Sequence, residues 1–207
     1  MNIDPEKIDP DTLETWLAHL PEQKRAQIRK HRHHENRVQS AAGWLLVERT
    51  MRDLGFDDFS LSAVDFNSPH KSGSPYPADF NISHSGTIIC AAALASGRIG
   101  IDVEKIRALK GDVIHKYLSE QQVRECEQEP SRFFDYWTQI EAVLKAHGQE
   151  GIVRLREVIL HEDEAEAEFA NRHWYLTRIN LAVGYAAHIA TDIADCQVVM
   201  EKLGSPV

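Results

Sequence analysis

Asp102 and Glu104 stand two residues apart in the run RIGIDVEK, residues 98–105. Ile99, Ile101 and Val103 alternate with Gly100, Asp102 and Glu104, so a strand here puts the aliphatics on one face and both acids on the other. On that face the carboxylates repel at roughly 6–7 Å, and Asp is a poor strand former. A positive partner between them would explain the pattern; an outward face with two solvated acids is the plain alternative. A third carboxylate, Glu141, precedes Lys145 by one helical turn in WTQIEAVLKA. By itself such an i, i+4 pair contributes only ~0.2–0.5 kcal/mol to a helix. Joined to Asp102 and Glu104, it completes an all-oxygen donor set suited to a hard cation such as magnesium, which keeps waters and shares phosphate oxygens.

The run FNISHSG, residues 80–86, adds donors of another kind. The hydroxyls of Ser83 and Ser85 and a protonated His84 all donate hydrogen bonds to phosphate. In isolation His84 reads as a structural histidine at a strand end, and Arg37 as a surface helix residue. The basic stretch from Lys24 to Arg37 reads first as a solvated helix face. The chain has eleven histidines, with HRHH at residues 31–34. No Cys or His pair has a second set of ligands at a convincing spacing, so the histidines are expected to be exposed rather than metal-bound.

The elements that would position these residues follow from periodicity and breakers. Helical spacing runs over Asp11–Leu20 and Glu22–Leu54, and Phe59–Phe66 reads as a strand. NSPHKSGSPYP is a loop, followed by two strands joined by a turn at Gly97. A helix starts near Asp112, and Ser119 with Gln122 forms a capping box for another. Phe133–Lys145 is helical. Its row Phe133, Trp137, Ile140 and Leu144 should face the core, with Phe134, Thr138, Glu141 and Lys145 beside it. The remainder reads as antiparallel strands. The small-residue strands TIICAAALAS and LAVGYAAHIA each follow a long helix, which predicts an α+β protein of two similar lobes related by a pseudo-twofold. The lobes span residues 1–105 and 106–207, and each has a long helix packed on an antiparallel sheet; a cleft between them is the expected ligand site.

With 207 residues, 43% of them hydrophobic, the chain can bury a substantial core. A formal net charge of −9 opposes a generic nucleic-acid or anionic-membrane binder. Cys90, Cys126 and Cys196 match no metal motif and are expected as reduced thiols, Cys90 within the core. The opening MNIDPEKIDP does not resemble a signal peptide, and no run approaches the roughly 20 apolar residues of a membrane helix. The expectation is a soluble, cytoplasmic protein.

Taken together, FNISHSG, IGIDVEK and WTQIEAVLKA resemble the signatures of the Sfp-type 4'-phosphopantetheinyl transferases, in the family's order and spacing from about Pro21 to Ala190. The resemblance implies transfer of the 4'-phosphopantetheine arm of coenzyme A to a serine of an apo acyl, peptidyl or aryl carrier protein, releasing 3',5'-ADP. It implies Asp102, Glu104 and Glu141 as magnesium ligands, Lys145 on the coenzyme A diphosphate, Ser83 and His84 on the adenosine 3'-phosphate, and Arg37 near the adenosine. Glu141 is then the acceptor of the serine proton, directly or through water. Carriers of fatty acid or secondary metabolite synthesis are the partner class, and Tyr117 and Leu118 are candidate docking contacts. A pair of internal lobes lessens the need to dimerise, so a monomer is expected. Two departures stand out. Ile140 replaces the family's lysine before the acid, in a position that packing can absorb, and Gly73-Ser74-Pro75 replaces Gly-Lys-Pro, with Lys71 as the substitute cation. The rival interpretation is a catalytically impaired homologue that binds coenzyme A or a carrier as a regulator.

Overall fold

The computed structural model describes residues 1–66, 75–109, 113–148, 152–161, 165–204 and 206. The chain divides into two compact units, Met1–Gly97 with Gln197–Val207, and Arg98–Cys196.

The first unit opens with α1 (Pro10–Ala18), where Pro10 takes the first helical position and the Asp9 carboxylate caps the Thr12 N–H at 2.9 Å. The helical pattern after Pro21 is broken in two, α2 (Glu22–Arg29) and α3 (His34–Asp53). Between them Lys30–His33 offers no apolar side chain to bury, and His33 is extended at φ −96° and ψ 139°. Lys24 departs from a solvated helix face. It is buried, with its ammonium 4.3 Å from the Trp44 ring and 4.4 Å from that of Phe66, a cation–π arrangement.

Phe59–Phe66 is not a strand. Leu61–Ala63 is a 3-10 turn started by the Ser60 hydroxyl, which accepts from the Ser62 N–H, and the turn sends Phe59, Leu61 and Val64 into the core. β1 (Asp79–Ser85) and β2 (Ile88–Leu94) form a hairpin closed at Gly86 and Thr87. Helix α3 packs on this hairpin, so closely at Gly43 that a Cβ would lie 2.7 Å from the Ile82 Cγ2.

In the second unit β3 (Ile99–Lys105) pairs with β7 (Tyr185–Thr191) in a five-stranded antiparallel sheet of order β3-β7-β6-β5-β4. The sequence expectation of a β2–β3 hairpin turning at Gly97 is therefore corrected. β2 is already paired to β1 over its whole length, and β3, placed in the first lobe from sequence, joins a sheet of the second unit. The other strands are β4 (Ile159–Leu160), β5 (Glu166–Phe169) and β6 (Arg172–Arg178). The stretch VRLREV, expected as a strand, is largely a 3-10 turn over Ile152–Glu157.

Helices α4 (Val113–Tyr117), α5 (Glu120–Gln128) and α6 (Arg132–His147) complete the unit. The Ser119–Gln122 capping box is present in both directions. α6 lies on the sheet and ends at Gly148, whose φ of 86° suits a glycine C-cap. Its Phe133, Ile140 and Leu144 join Phe169, Trp174 and Leu176 in one core. The architecture is α+β, a mixture of helices and antiparallel strands.

Candidate active site

The strand face carrying Gly100, Asp102 and Glu104 is turned towards α6, and Gly100 shows how closely. A Cβ there would lie 2.0 Å from the Ala142 carbonyl oxygen and 2.5 Å from the Ala146 nitrogen, so the helix backbone rests directly on the strand. One pleat further along the same face is Asp102, 5% exposed. The Lys145 ammonium donates to the Asp102 Oδ1 at 2.6 Å and to the Ile101 carbonyl at 3.2 Å. A positive group does stand against the acidic face, and within the protein it is Lys145.

Glu141 is half-buried one turn before Lys145 on α6, and Glu104 is half-buried at the end of β3. Glu104 borders a cleft of about 460 Å³ shared with Arg107, Leu109, Phe133, Phe134 and Trp137. Gly100 meets Ala142 and Ala146, and Glu104 borders the same cleft as Phe133, Phe134 and Trp137 of the first turns of α6, so helix and strand run antiparallel. The oxygen-only chemistry of Asp102, Glu104 and Glu141 suits a hard divalent cation. These carboxylates occupy facing elements without their ligand atoms being drawn into one tight group, and Lys145 engages Asp102.

His188 is a site neighbour that sequence reasoning missed. In the β3–β7 register it lies directly opposite Asp102, which puts both side chains on the face beneath α6. Its Nδ1 is 2.8 Å from the Thr138 hydroxyl, itself fully buried. Burial first, then the nearby Arg178 and Arg132 charges, push its pKa down to about 4, so the ring is neutral at pH 7. A lone histidine inside the alanine-rich YAAHIAT was the available signal, but the strand opposite it follows only from the tertiary register.

Ile140 is 3% exposed within the core, as its helical row predicts. Trp137, expected in that row, is only half-buried, stacks on Phe133 at 5.6 Å and lines the cleft. Of the two docking candidates, Leu118 is a core residue, 7% exposed. Tyr117 is half-buried with its ring 5.5 Å from that of Trp137.

The remaining predicted residues lie in the first unit. Ser83 is buried and His84 exposed on β1, so these successive side chains point to opposite faces of the hairpin. The Cys90 thiol, buried on β2, donates to the Ser83 carbonyl at 3.3 Å. Arg37, half-buried on α3, donates from Nε to the His31 carbonyl at 2.8 Å. Lys71, Gly73 and Ser74 lie outside the described residues. No described helix is long and apolar enough to cross a membrane.

Residues 98–191 match the family model of the 4'-phosphopantetheinyl transferase superfamily. The matched stretch spans nearly all of the second unit, from β3 through β7, and contains Asp102, Glu104, Glu141 and Lys145. The likeness to that superfamily is confined to this stretch, which is somewhat less than half of the chain. A search of curated proteins finds no match.

Proposed function

We propose that the chain is a 4'-phosphopantetheinyl transferase of the Sfp type that modifies a serine of an apo carrier protein with the arm of coenzyme A. The serine oxygen attacks the phosphorus that bears the pantetheine arm. The bond from that phosphorus to the bridging oxygen breaks, and 3',5'-ADP leaves with the electron pair. Glu141 takes the proton of the serine hydroxyl, and Lys145 neutralises charge growing on the departing diphosphate. Asp102, Glu104 and Glu141 would hold magnesium, which when bound supplies further positive charge against the diphosphate. Such a transfer depends on positioning and electrostatics more than on a protein nucleophile. Buried and neutral, His188 sets the polarity beneath Asp102 without competing for its charge.

One observation carries this reading: α6 lies backbone-to-strand on β3 at Gly100, which brings Lys145 to 2.6 Å from Asp102 within the stretch that matches the superfamily. The cleft of about 460 Å³ beside Glu104 has aromatic walls suited to the pantetheine arm. Ser83, His84 and Arg37 are assigned to the adenosine end, and Lys71 to the place of the missing loop lysine. The proposal extends to two similar lobes, supported by a long helix on antiparallel strands in each unit, α3 on β1–β2 and α6 on β3–β7. It also extends to a cytoplasmic monomer whose partners are coenzyme A and an acidic carrier.

The test is incubation with coenzyme A, magnesium and a panel of apo carrier proteins, read by intact mass. Gain of one phosphopantetheine on a carrier, lost on omitting magnesium, is the expected result. Coenzyme A binding with no transfer to any carrier would overturn the enzyme reading in favour of a regulator.

A further inference from the structure

A second cluster of ligating side chains lies on the face of the same sheet turned away from the core that α6 covers. The register pairs Glu168 with His173 and Glu166 with Tyr175, so Glu166, Glu168 and His173 share one face. Ala167, Phe169 and Trp174 are buried in the core. The His161 N–H donates to the Glu166 carbonyl at 3.0 Å, which continues the β4–β5 ladder and sets His161 beside the others.

The ligand atoms of His161, Glu168 and His173 all lie within 4.8 Å of one another, the one such group of three among the described residues. His161 Nε2 is 3.6 Å from the Glu168 Oε1, and the two imidazole rings are 5.7 Å apart and nearly perpendicular. A tetrahedral ion with bonds of about 2.0–2.2 Å separates its ligand atoms by roughly 3.3–3.6 Å. Small side-chain rotations therefore suffice to close the group around an ion, with no backbone movement.

We infer that His161, Glu168 and His173 form a site for a divalent transition-metal ion. Two imidazole nitrogens and one carboxylate select zinc, copper, nickel or cobalt over magnesium and calcium. Three protein ligands leave the fourth position to water. Glu166 stands 3.1 Å from His173 Nε2 and 3.9 Å from His161 Nδ1. With His161 ligating through Nε2, a small rotation that closes the 3.9 Å gap would let Glu166 accept from its Nδ1–H and fix the ring. β4 is only two residues long and at the sheet edge. The ion ties that edge to β5 and β6, and by binding the folded ladder it stabilises the fold by mass action. Strand pairing, not spacing in the chain, joins His161 to His173, so the grouping has no signature in the sequence. At the other histidine-rich stretch, His34 Nε2 is already 2.7 Å from the Ile8 carbonyl.

The experiment uses the untagged full chain, since a polyhistidine tag would mask the site. Zinc is titrated by calorimetry, and cobalt by visible absorption, into the wild type, His161→Ala/His173→Ala and Asp102→Asn. The expected result is one tightly bound ion per chain that the double variant loses, with a cobalt spectrum of nitrogen ligation. The double variant should weaken binding by more than about 100-fold, beyond the 10–100-fold that loss of an outer partner costs. Asp102→Asn should leave it unchanged. Zinc should raise the melting temperature of the wild type and not of the double variant, whose substitutions at half-buried positions outside the core leave the circular dichroism unaltered. Equal titration of wild type and double variant, or zinc binding lost in Asp102→Asn instead, would overturn the site.

Discussion

Gly100→Ala tests the contact on which the candidate site depends. The added methyl would lie 2.0 Å from the Ala142 oxygen and 2.5 Å from the Ala146 nitrogen. Both are backbone atoms of a 16-residue helix, so no side chain can rotate out of the way. Restoring an ordinary contact of about 3.5 Å requires α6 to retreat by roughly 1.5 Å. Overpacking of this kind costs about 1–3 kcal/mol, and the lower backbone entropy of alanine returns at most about 1 kcal/mol. The net expectation is a loss of about 2 kcal/mol, a drop in urea midpoint of about 1–2 M at a slope of about 1–2 kcal/mol/M. The same retreat separates Lys145 from Asp102. Transfer by folded protein should fall by about 100-fold, the usual consequence of an ångström of misplacement. Gly43→Ala is the control. Its Cβ meets the Ile82 Cγ2 at 2.7 Å, a branch methyl that moves only with χ1, but the better helix propensity of alanine returns about 1 kcal/mol, so the cost should stay below that of Gly100→Ala. A Gly100→Ala protein with the wild-type urea midpoint and wild-type transfer rate would refute the reasoning.

Four other outcomes follow from the same geometry. Glu141→Gln should abolish transfer to a carrier in the mass assay while leaving the melting temperature within a degree or two, because Glu141 is half-buried at the edge of the core. Lys145→Met should destabilise the chain by about 1–3 kcal/mol in urea, since it strips a cation from a carboxylate that is 5% exposed. Adding Asp102→Asn should recover part of that loss. His188, held near 4 against an ordinary 6.5, takes up its proton later than in the unfolded chain as pH falls. The stability this contributes is present above pH 6.5 and lost by about pH 4. The stability gap between wild type and His188→Asn should therefore shrink by about 3 kcal/mol between pH 7 and pH 4, and a constant gap would count against a buried neutral ring. The Cys126 thiol, 1% exposed and pushed up to about 11 mainly by burial, should resist a thiol reagent at pH 8 until the chain unfolds. Cys196, half-buried, should react in the native state.

The sequence alone determined the residues that could do chemistry and the elements that carry them. Alternation in RIGIDVEK placed both acids on one strand face, and the helical row of Ile140 and Leu144 put Glu141 and Lys145 at the core's edge. These follow from the local periods of strand and helix, which any short window displays. Tertiary structure decided the partners. The small-residue hairpin could not announce that β3 would leave it for β7, because antiparallel strands of similar composition offer many registers and the choice rests on which faces are buried. That choice set His188 opposite Asp102 and carried His161 to His173 and Glu168. Lys145 as the cation at Asp102 needed the close crossing at Gly100, a contact between residues more than forty apart in the chain. Spacing in sequence shows which side chains share a surface; only packing shows what that surface meets.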